Sequence, residues 1–211
     1  KEKENLLINQ LIQKKLAKIS FEKNKIRIGE MKGFSIIKSG INIFKNKKIY
    51  IDTASVDKNG IQSKDYIITF ENKPSRANMQ PIPNSIWFAK LKDSPKYLFV
   101  KDYMNDILNN YIFSTGFLGL KANNDYLANY YYSLITSNEF EDNKNRLSIG
   151  ATMQGINNDT FKEILVPNSS IKEMEAFGKE IDEFLKQIYI NKTKINKLKD
   201  TKQLYLKKFF G

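Results

Sequence analysis

The stretch 171-IKEMEAFGKEIDEFLKQIYINKTKINKLKDTKQLYLKKFF-210 decides the fold, because its apolar residues recur at alternating steps of three and four. It contains no proline, and its one glycine, Gly178, lies off this series, so the pattern predicts one long uninterrupted helix. At about 1.5 Å per residue this helix would be a rod of roughly 60 Å. Such an apolar stripe needs a partner along its length, as in a coiled coil. The predicted dimer interface consists of Met174, Phe177, Ile181, Phe184, Ile188, Asn191, Ile195, Leu198 and Tyr205.

The charge changes sign along this rod. Acidic residues outnumber lysines up to Tyr189, whereas from Ile190 onward seven lysines face only Asp200. An antiparallel second copy would place the acidic half of one helix against the basic half of the other. Asn191 would fix the register by forming a hydrogen bond with Asn191 of the second copy. The charge order therefore predicts an antiparallel homodimer. The pattern leaves open the alternative that the helix packs along its own globular domain.

The composition bounds the class of protein. With 211 residues, of which 41% are hydrophobic and 12% aromatic, the chain can bury a core and fits one globular domain with appended helices. The formal net charge of +12 predicts a polyanionic partner, with nucleic acid as the first candidate and an acidic membrane surface as the second.

Residue types that are missing exclude several kinds of site. The chain has no histidine and no cysteine, which rules out disulfide scaffolds, the common zinc sites, a nucleophilic cysteine and imidazole acid–base chemistry. It also lacks a phosphate-binding glycine loop, a dinucleotide fingerprint and the Asn-Pro-Pro-aromatic segment of amino-methyltransferases. The group Glu141-Asp142-Asn143-Lys144 is compatible with a metal-dependent nuclease, but with 27% charged residues such groups are common by chance. We therefore predict no catalytic residue, no metal site and no cofactor.

The sequence also bears on location. No run of apolar residues reaches the roughly 18 needed to span a bilayer, and no signal peptide opens the sequence. We therefore expect a cytoplasmic protein without a membrane partner.

The chain divides into an N-terminal helix over residues 1–20, a globular domain over 21–168 and the long helix over 169–211. The N-terminal helix could pack on the domain or along the rod. Short β-rich runs separated by turn residues predict a mixed or mainly antiparallel sheet, with helices at 97–113 and 125–136 and a last strand at 161–166. The tyrosines of 125–136 are predicted to be core residues. The fold class that follows is α+β.

Three polar loops carry side chains suited to DNA. A basic tip near residue 46 suits phosphate contacts. The segment PSRANMQPIP, residues 74–83, carries side chains that can pair with base edges on a loop stiffened by three prolines. The segment SIGATMQGINN, residues 148–158, sets polar side chains among glycines that allow close backbone approach. The predicted DNA-binding residues are Lys45, Lys47, Lys48, Arg76, Asn78, Gln80, Thr152, Gln154 and Asn157.

The order of these segments resembles a known family. SGINIFKNKKIYIDTASV (39–56), ITFENKPSRANMQPIPNSIWFAKLK (68–92) and SIGATMQGINNDTFKEILVP (148–167) precede a long helix that ends in QLYLKKFFG (203–211). Together they resemble one half of a type I restriction-modification specificity subunit, over nearly the whole chain. The most specific parts are the SRANM and SIGATMQGIN segments.

The resemblance implies a DNA-recognition subunit without chemistry of its own. In that family two target-recognition domains, each followed by a long helix, are held apart by an antiparallel helix pair, and each domain reads half of a bipartite site in double-stranded DNA. The helices dock DNA methyltransferase subunits, which bind the S-adenosylmethionine, and the complex also contains a restriction and translocase subunit. This sequence has one recognition domain and one rod, so it is either a natural half-subunit that dimerises or a fragment of a longer chain.

Two other interpretations remain at this point. The chain could be the recognition module of a type IIB or single-chain restriction-methylation enzyme. It could also be a basic coiled-coil scaffold that reads no sequence.

Overall fold

The computed structural model describes residues 2–58 and 60–210 and has the α+β fold predicted from the sequence. The helices in that part of the chain are α1 (Glu2–Glu22), α2 (Asn105–Asn110), α3 (Asp125–Ile135), α4 (Asn138–Arg146), α5 (Asn158–Lys162), α6 (Ile171–Glu180) and α7 (Asp182–Phe210). The strands are β1 (Lys25–Arg27), β2 (Phe34–Ile36), β3 (Lys48–Ile51), β4 (Val56–Asp57), β5 (Gly60–Ile61), β6 (Ile67–Ile68), β7 (Ala77–Met79), β8 (Ser85–Ala89), β9 (Tyr97–Val100), β10 (Tyr111–Ser114), β11 (Phe117–Ala122) and β12 (Leu165–Pro167).

Two four-stranded sheets form the body of the domain. One has the order β2-β11-β8-β9 and is antiparallel throughout. The other has the order β6-β3-β10-β7 and is mixed, because β3 and β10 run parallel. Two short antiparallel pairs, β1-β12 and β4-β5, complete the sheet structure of the described residues. The prediction of a mixed or mainly antiparallel sheet is confirmed.

Strand β8 shows why the sheets stack. Ile86 and Phe88 pack into the core beneath the helices, whereas Trp87 and Ala89 pack into the core between the two sheets. All five residues of β8 are buried, as expected for a strand covered on both faces. Opposite Trp87 in the register stands Gly119, where an added Cβ would lie 2.5 Å from the indole ring.

Helix α3 covers the antiparallel sheet. Tyr130 and Tyr131 are almost completely buried in the core that this helix shares with β8, β11, α1 and α6. The Tyr131 hydroxyl donates to the Lys32 carbonyl at 2.7 Å. The prediction that the tyrosines of this segment serve the core is confirmed for Tyr130 and Tyr131, whereas Tyr126 is 38% exposed.

Two of the sequence predictions for the globular domain were wrong. The range 97–113 is not one helix, because it holds strand β9, the short helix α2 and strand β10. Both strands are apolar and largely buried, and a short apolar run cannot be assigned to helix or strand by its period alone. The range 161–166 is not one strand: its first two residues belong to α5, whose start is capped by Asn157, and β12 begins only at Leu165.

The rod is not the uninterrupted helix that the sequence predicted. Helices α6 and α7 are separated at Ile181, whose backbone (φ −94°, ψ −2°) stays in the right-handed helical region. The Ile181 amide donates to the Phe177 carbonyl at 3.2 Å and the Leu185 amide to the Ile181 carbonyl at 3.0 Å, so the chain continues in the same sense. The interruption coincides with a buried side chain, Asn129, that donates to the Gly178 carbonyl.

Helix α1 lies antiparallel to the rod. Lys15 pairs with Glu180, and farther toward the start of α1 the Asn5 side chain accepts a hydrogen bond from Asn191 at 3.1 Å. Ile12 and Leu16 bury the apolar side of α1 in the main core. The sequence left open whether α1 packs on the globular domain or along the rod. Helix α1 does both, because it contacts α3 of the domain as well as α7 of the rod. None of the helices in the described ranges is long and apolar enough to cross a membrane.

Candidate nucleic-acid interface

Arg76 stands just before β7, at the end of the mixed sheet where β10 finishes. Its backbone carbonyl accepts from the Thr115 amide and the Asn78 amide, both at 2.9 Å, so the main chain is fixed. Its side chain is exposed and takes part in none of the ion pairs among residues 2–58 and 60–210. A rigid backbone thus presents an uncompensated guanidinium to solvent, which is the geometry required for binding an anion or a base edge.

Lys90, at the end of β8, lies beside Arg76. Its Nζ donates to the Thr115 carbonyl at 2.9 Å, and the side chain is half-buried. Burial lowers the pKa of Lys90, and the positive charge of Arg76 lowers it further. Both residues bond to Thr115, so the two cations lie near each other, and neither takes part in an ion pair of the described residues. An approaching anion would relieve their repulsion.

The glycine-containing loop of residues 148–157 attaches directly to the segment that carries Lys90. The Ile156 amide donates to the Lys90 carbonyl at 3.0 Å, and the Lys92 amide donates to the Gln154 carbonyl at 2.9 Å. At Gly155 an added Cβ would lie 2.8 Å from the Lys90 carbonyl oxygen, so this approach requires glycine. The loop is consequently fixed to the segment that carries Lys90 and Lys92.

The three predicted residues of this loop have different surroundings. Thr152 is exposed. The Gln154 side-chain oxygen accepts from the Lys92 Nζ at 3.0 Å. The Asn157 side-chain oxygen caps α5 by accepting from the amides of Asp159 and Thr160, each at 2.9 Å. Asn157 therefore has a structural role that uses its acceptor, although it also lines an open cleft together with Lys90.

The remaining predicted residues lie in two places. Asn78, within β7, and Gln80, just after it, are half-buried, and the Asn78 carbonyl accepts from the Gly40 amide at 2.8 Å. Lys45 and Lys47 are exposed, but they precede β3, whose first residue aligns near the start of β10 rather than its end. Because a four-residue strand spans roughly 10 to 13 Å, the lysine tip lies at the other end of the sheet from Arg76.

Lys48, the third lysine of the tip, has an internal contact. Its Nζ donates to the Asn109 carbonyl at 2.9 Å and lies 5.3 Å from the centre of the Phe44 ring. Burial lowers the pKa of Lys48. Its side chain is therefore less available for a phosphate than those of the exposed lysines beside it.

Sequence reasoning missed the cations of the turn between β8 and β9. Lys90, Lys92 and Lys96 lie in or beside this turn, and the Lys96 Nζ donates to the Thr53 carbonyl at 2.7 Å. The only signal was the lysine spacing in FAKLKDSPK, residues 88–96. A solvated turn gives the same pattern.

Lys144 holds that turn from below. It is completely buried, and its Nζ approaches the carbonyls of Leu91 at 3.0 Å and Ser94 at 3.3 Å and the carboxylate of Glu141 at 2.9 Å. Burial lowers the pKa of Lys144, and Glu141 opposes that shift. Glu141 and Lys144, noticed in the sequence, thus form an internal ion pair that shapes the cationic turn.

No group of three or more acidic side chains among the described residues is placed to hold a metal ion.

The predicted dimer interface divides into buried and exposed residues. Met174, Phe177, Ile181, Ile188 and Asn191 are buried inside the single chain, and Ile195 is half-buried. Phe184, Leu198 and Tyr205 are exposed, by 40%, 67% and 57%. Leu185 is buried in place of Phe184, because a straight helix of 3.6 residues per turn drifts from a strict heptad.

The acidic half of the rod already has partners within the chain. The ion pairs are Lys15–Glu180, Lys23–Glu173, Lys186–Asp182 and Lys186–Glu183. Glu175 accepts from the Asn124 side chain at 2.7 Å. Asn191, expected to meet its counterpart in a second copy, instead meets Asn5 of the same chain. The acidic half of the rod is therefore paired by Lys15 of α1, by Lys23 just after α1 and by Lys186 of the rod itself, and its use between copies stays a prediction.

Comparisons with known proteins give a structural likeness without a sequence match. No family model matches the chain, and no curated protein matches it. Among solved structures, the HsdS subunit from Thermoanaerobacter tengcongensis superposes with a TM-score of 0.56 at 18% identity, covering 86% of this chain and 47% of that chain. A chain from work on complex assembly and conformational transition of the type I R-M system gives 0.53 at 19% identity, covering 89% and 48%.

A third structure agrees with these two. The type I restriction-modification system S subunit from M. genitalium gives a TM-score of 0.51 at 15% identity, covering 89% of this chain and 45% of that chain. This chain thus spans about half the length of each of these structures. It has the fold of half of a specificity subunit, as the sequence resemblance predicted.

Proposed function

We propose that this chain is a non-catalytic DNA-recognition component of a type I restriction-modification system. The observation that carries the proposal is the coincidence of the specificity-subunit fold with the exposed Arg76 and the half-buried Lys90 near it, at the end of its mixed sheet. The fold and the net charge of +12 both favour DNA as the ligand.

The surface around Arg76 has the chemistry for two kinds of contact. Arg76 would bind a phosphate or guanine, and Lys90 would reach a phosphate by exchanging its hydrogen bond to the Thr115 carbonyl for one to the anion. Asn78 and Gln80, on β7 and just after it, are half-buried and offer amide groups that can pair with adenine. Thr152 and Gln154 lie on the attached loop and extend the same surface. Asn157 would contribute mainly by holding that loop on α5.

The lysine tip would make a separate set of contacts. Lys45 and Lys47 are exposed and flexible enough to reach phosphates, while Lys48 is partly occupied by the Asn109 carbonyl. Their position at the far end of the sheet suits contacts to the DNA backbone flanking the bases that Arg76 reads.

The end of the rod is proposed as the assembly surface. Beyond Asn191, which bonds to Asn5 of α1, α7 continues for roughly 19 residues, or about 28 Å. This overhang exposes Leu198, Leu204, Tyr205, Leu206 and Phe209. We propose that it pairs with the overhang of a second copy, which would give two recognition domains and a bipartite target. The paired helices would also dock the DNA methyltransferase subunit, which would hold the S-adenosylmethionine, and the restriction and translocase subunit.

Selection from a pool of randomised DNA duplexes tests the recognition proposal. The purified chain is expected to enrich a defined motif over several rounds at moderate salt. The control is the same selection with Arg76→Gln and Lys90→Gln combined, which should lose the motif before it loses all binding. If the wild-type chain binds every duplex alike, the chain is a basic scaffold that reads no sequence, and the proposal fails.

A further inference from the structure

Helices α3 and α6 meet at Gly178 more closely than side chains would allow. A Cβ added there would lie 1.9 Å from the Tyr126 carbonyl oxygen and 2.6 Å from its carbon. One turn along the same interface, the rings of Tyr130 and Phe177 meet edge to face at 5.8 Å. This contact attaches the rod to the globular domain, but it does not by itself fix the direction of the rod beyond it.

The rod is interrupted three residues after Gly178, and Asn129 lies at the interruption. Asn129 is completely buried, and its Nδ2 donates to the Gly178 carbonyl at 3.0 Å and to the Asp182 carboxylate at 2.8 Å. In a continuous helix the Gly178 carbonyl would accept from the Asp182 amide. A side chain inserted into the helical ladder is one of the recognised causes of a helix break or bend.

The orientation of the Asn129 amide is fixed from its other side. The Nζ of Lys101, at the end of β9, lies 3.3 Å from the Asn129 side-chain oxygen. Lys101 is itself buried and is held by Asp125, at 3.2 Å from the carbonyl and 3.0 Å from the carboxylate. A buried polar chain therefore runs from the antiparallel sheet through Asn129 to the first turn of α7. Each hydrogen bond has one possible direction, because the Lys101 ammonium can only donate and the Gly178 carbonyl and Asp182 carboxylate can only accept.

We propose that Asn129 is a positioning residue that sets the direction in which α7 leaves the globular domain. Helix α7 has 29 residues and is therefore about 44 Å long. A change in its direction by about 20°, the size of a definite helix kink, would move its far end by roughly 15 Å. If the proposed function holds, that direction sets the distance between the two halves of the DNA target. The positioning role itself does not depend on DNA binding.

The test is a distance measurement within one chain. The sequence has no cysteine, so spin labels on cysteines introduced at exposed Asp142 of α4 and exposed Lys202 of α7 are unique. Labelled chain is diluted into an excess of unlabelled chain, so that only distances within a chain are recorded by pulsed electron resonance. The unsubstituted Asn129 background should give one narrow distance, and Asn129→Leu should shift it by several to about 15 Å or broaden it, because α7 loses its directional contact.

The matched control is Ser133→Ala. Ser133 lies one turn further along α3, is equally buried, and donates only to the Asn129 backbone carbonyl at 2.9 Å. The Ser133→Ala variant should leave the distance between the spin labels unchanged, although it also removes a buried hydrogen bond. If Asn129→Leu fails to fold, Asn129→Ala decides, because it removes the hydrogen bonds to both Gly178 and Asp182 without adding side-chain volume. An unchanged, narrow distance in the decisive variant overturns the proposal. Since DNA is absent from the measurement, failure of the DNA-recognition proposal would leave this result intact.

Discussion

The Arg76–Lys90 pair gives a quantitative prediction about DNA binding. Each cation that contacts a phosphate of duplex DNA adds about 0.9 to the slope of log affinity against log salt concentration. Changing both residues to glutamine should therefore lower the magnitude of that slope by about 1.8. Between about 50 and about 200 mM salt, the affinity of the double variant would then fall roughly 12-fold less than that of the unsubstituted protein.

The assay is fluorescence anisotropy with a labelled duplex across a salt series. The matched control is Lys14→Gln with Lys18→Gln, which removes two exposed lysines of α1 and so changes the net charge equally. This control should leave the slope nearly unchanged, because only charges close to the phosphates release counterions. Melting temperatures of both variants check that each is folded. Equal slopes for the two double variants would refute the assignment of phosphate contacts to Arg76 and Lys90.

Four further outcomes follow from the structure. Asn78→Ala should relax one position of the selected DNA motif, by about 1 to 3 kcal/mol of discrimination, without changing the salt slope; uniform loss of binding would argue against base reading. Leu198→Asp should leave the monomer folded, since Leu198 is 67% exposed, but should abolish dimers in sedimentation. Gly178→Ala should destabilise the fold by roughly 2 kcal/mol, seen as a Tm lower by about 4 to 8 °C, because the clash with α3 exceeds the gain in helix propensity. Lys23 and the helix cap lower the pKa of Glu173 from 4.5 to about 2, so its stabilising effect is present above pH 4.5 and lost as the pH falls toward 2. Acid titration of Glu173→Gln should lack this component, and an unaltered titration would contradict it.

The sequence predicted those features that depend on local periodicity. Tyr130 and Tyr131 belong to the helical series of α3 and are buried, and the apolar series of the rod, apart from Phe184, marks the side that packs inward as far as Ile188. The family resemblance added the order of elements, which the structural likeness bears out. It could not add the contacts, because recognition loops differ between relatives.

Features that depend on distant residues were beyond the sequence. The partner of Asn191 is Asn5, far away in the chain, and nothing local distinguishes it from a second Asn191. Strand β10 was assigned to a helix because both its faces are buried, which removes the alternation that marks a strand. Lys90 was passed over because a lysine in a turn is usually solvated, and only the fold places it beside Arg76.

The pairing of α1 with the rod changes the physical basis expected for the proposed dimer. From the sequence, the acidic half of one rod was expected to attract the basic half of another. In the structure Lys15 and Lys23 already occupy the acidic half, so the surface left for a second copy is the lysine-rich overhang. Two such overhangs side by side would repel each other, and their association must come from burial of exposed apolar side chains such as Leu198 and Leu204. A dimer of this kind is strengthened by salt, which screens the repulsion, whereas pairing with an acidic helix of another subunit is weakened by it.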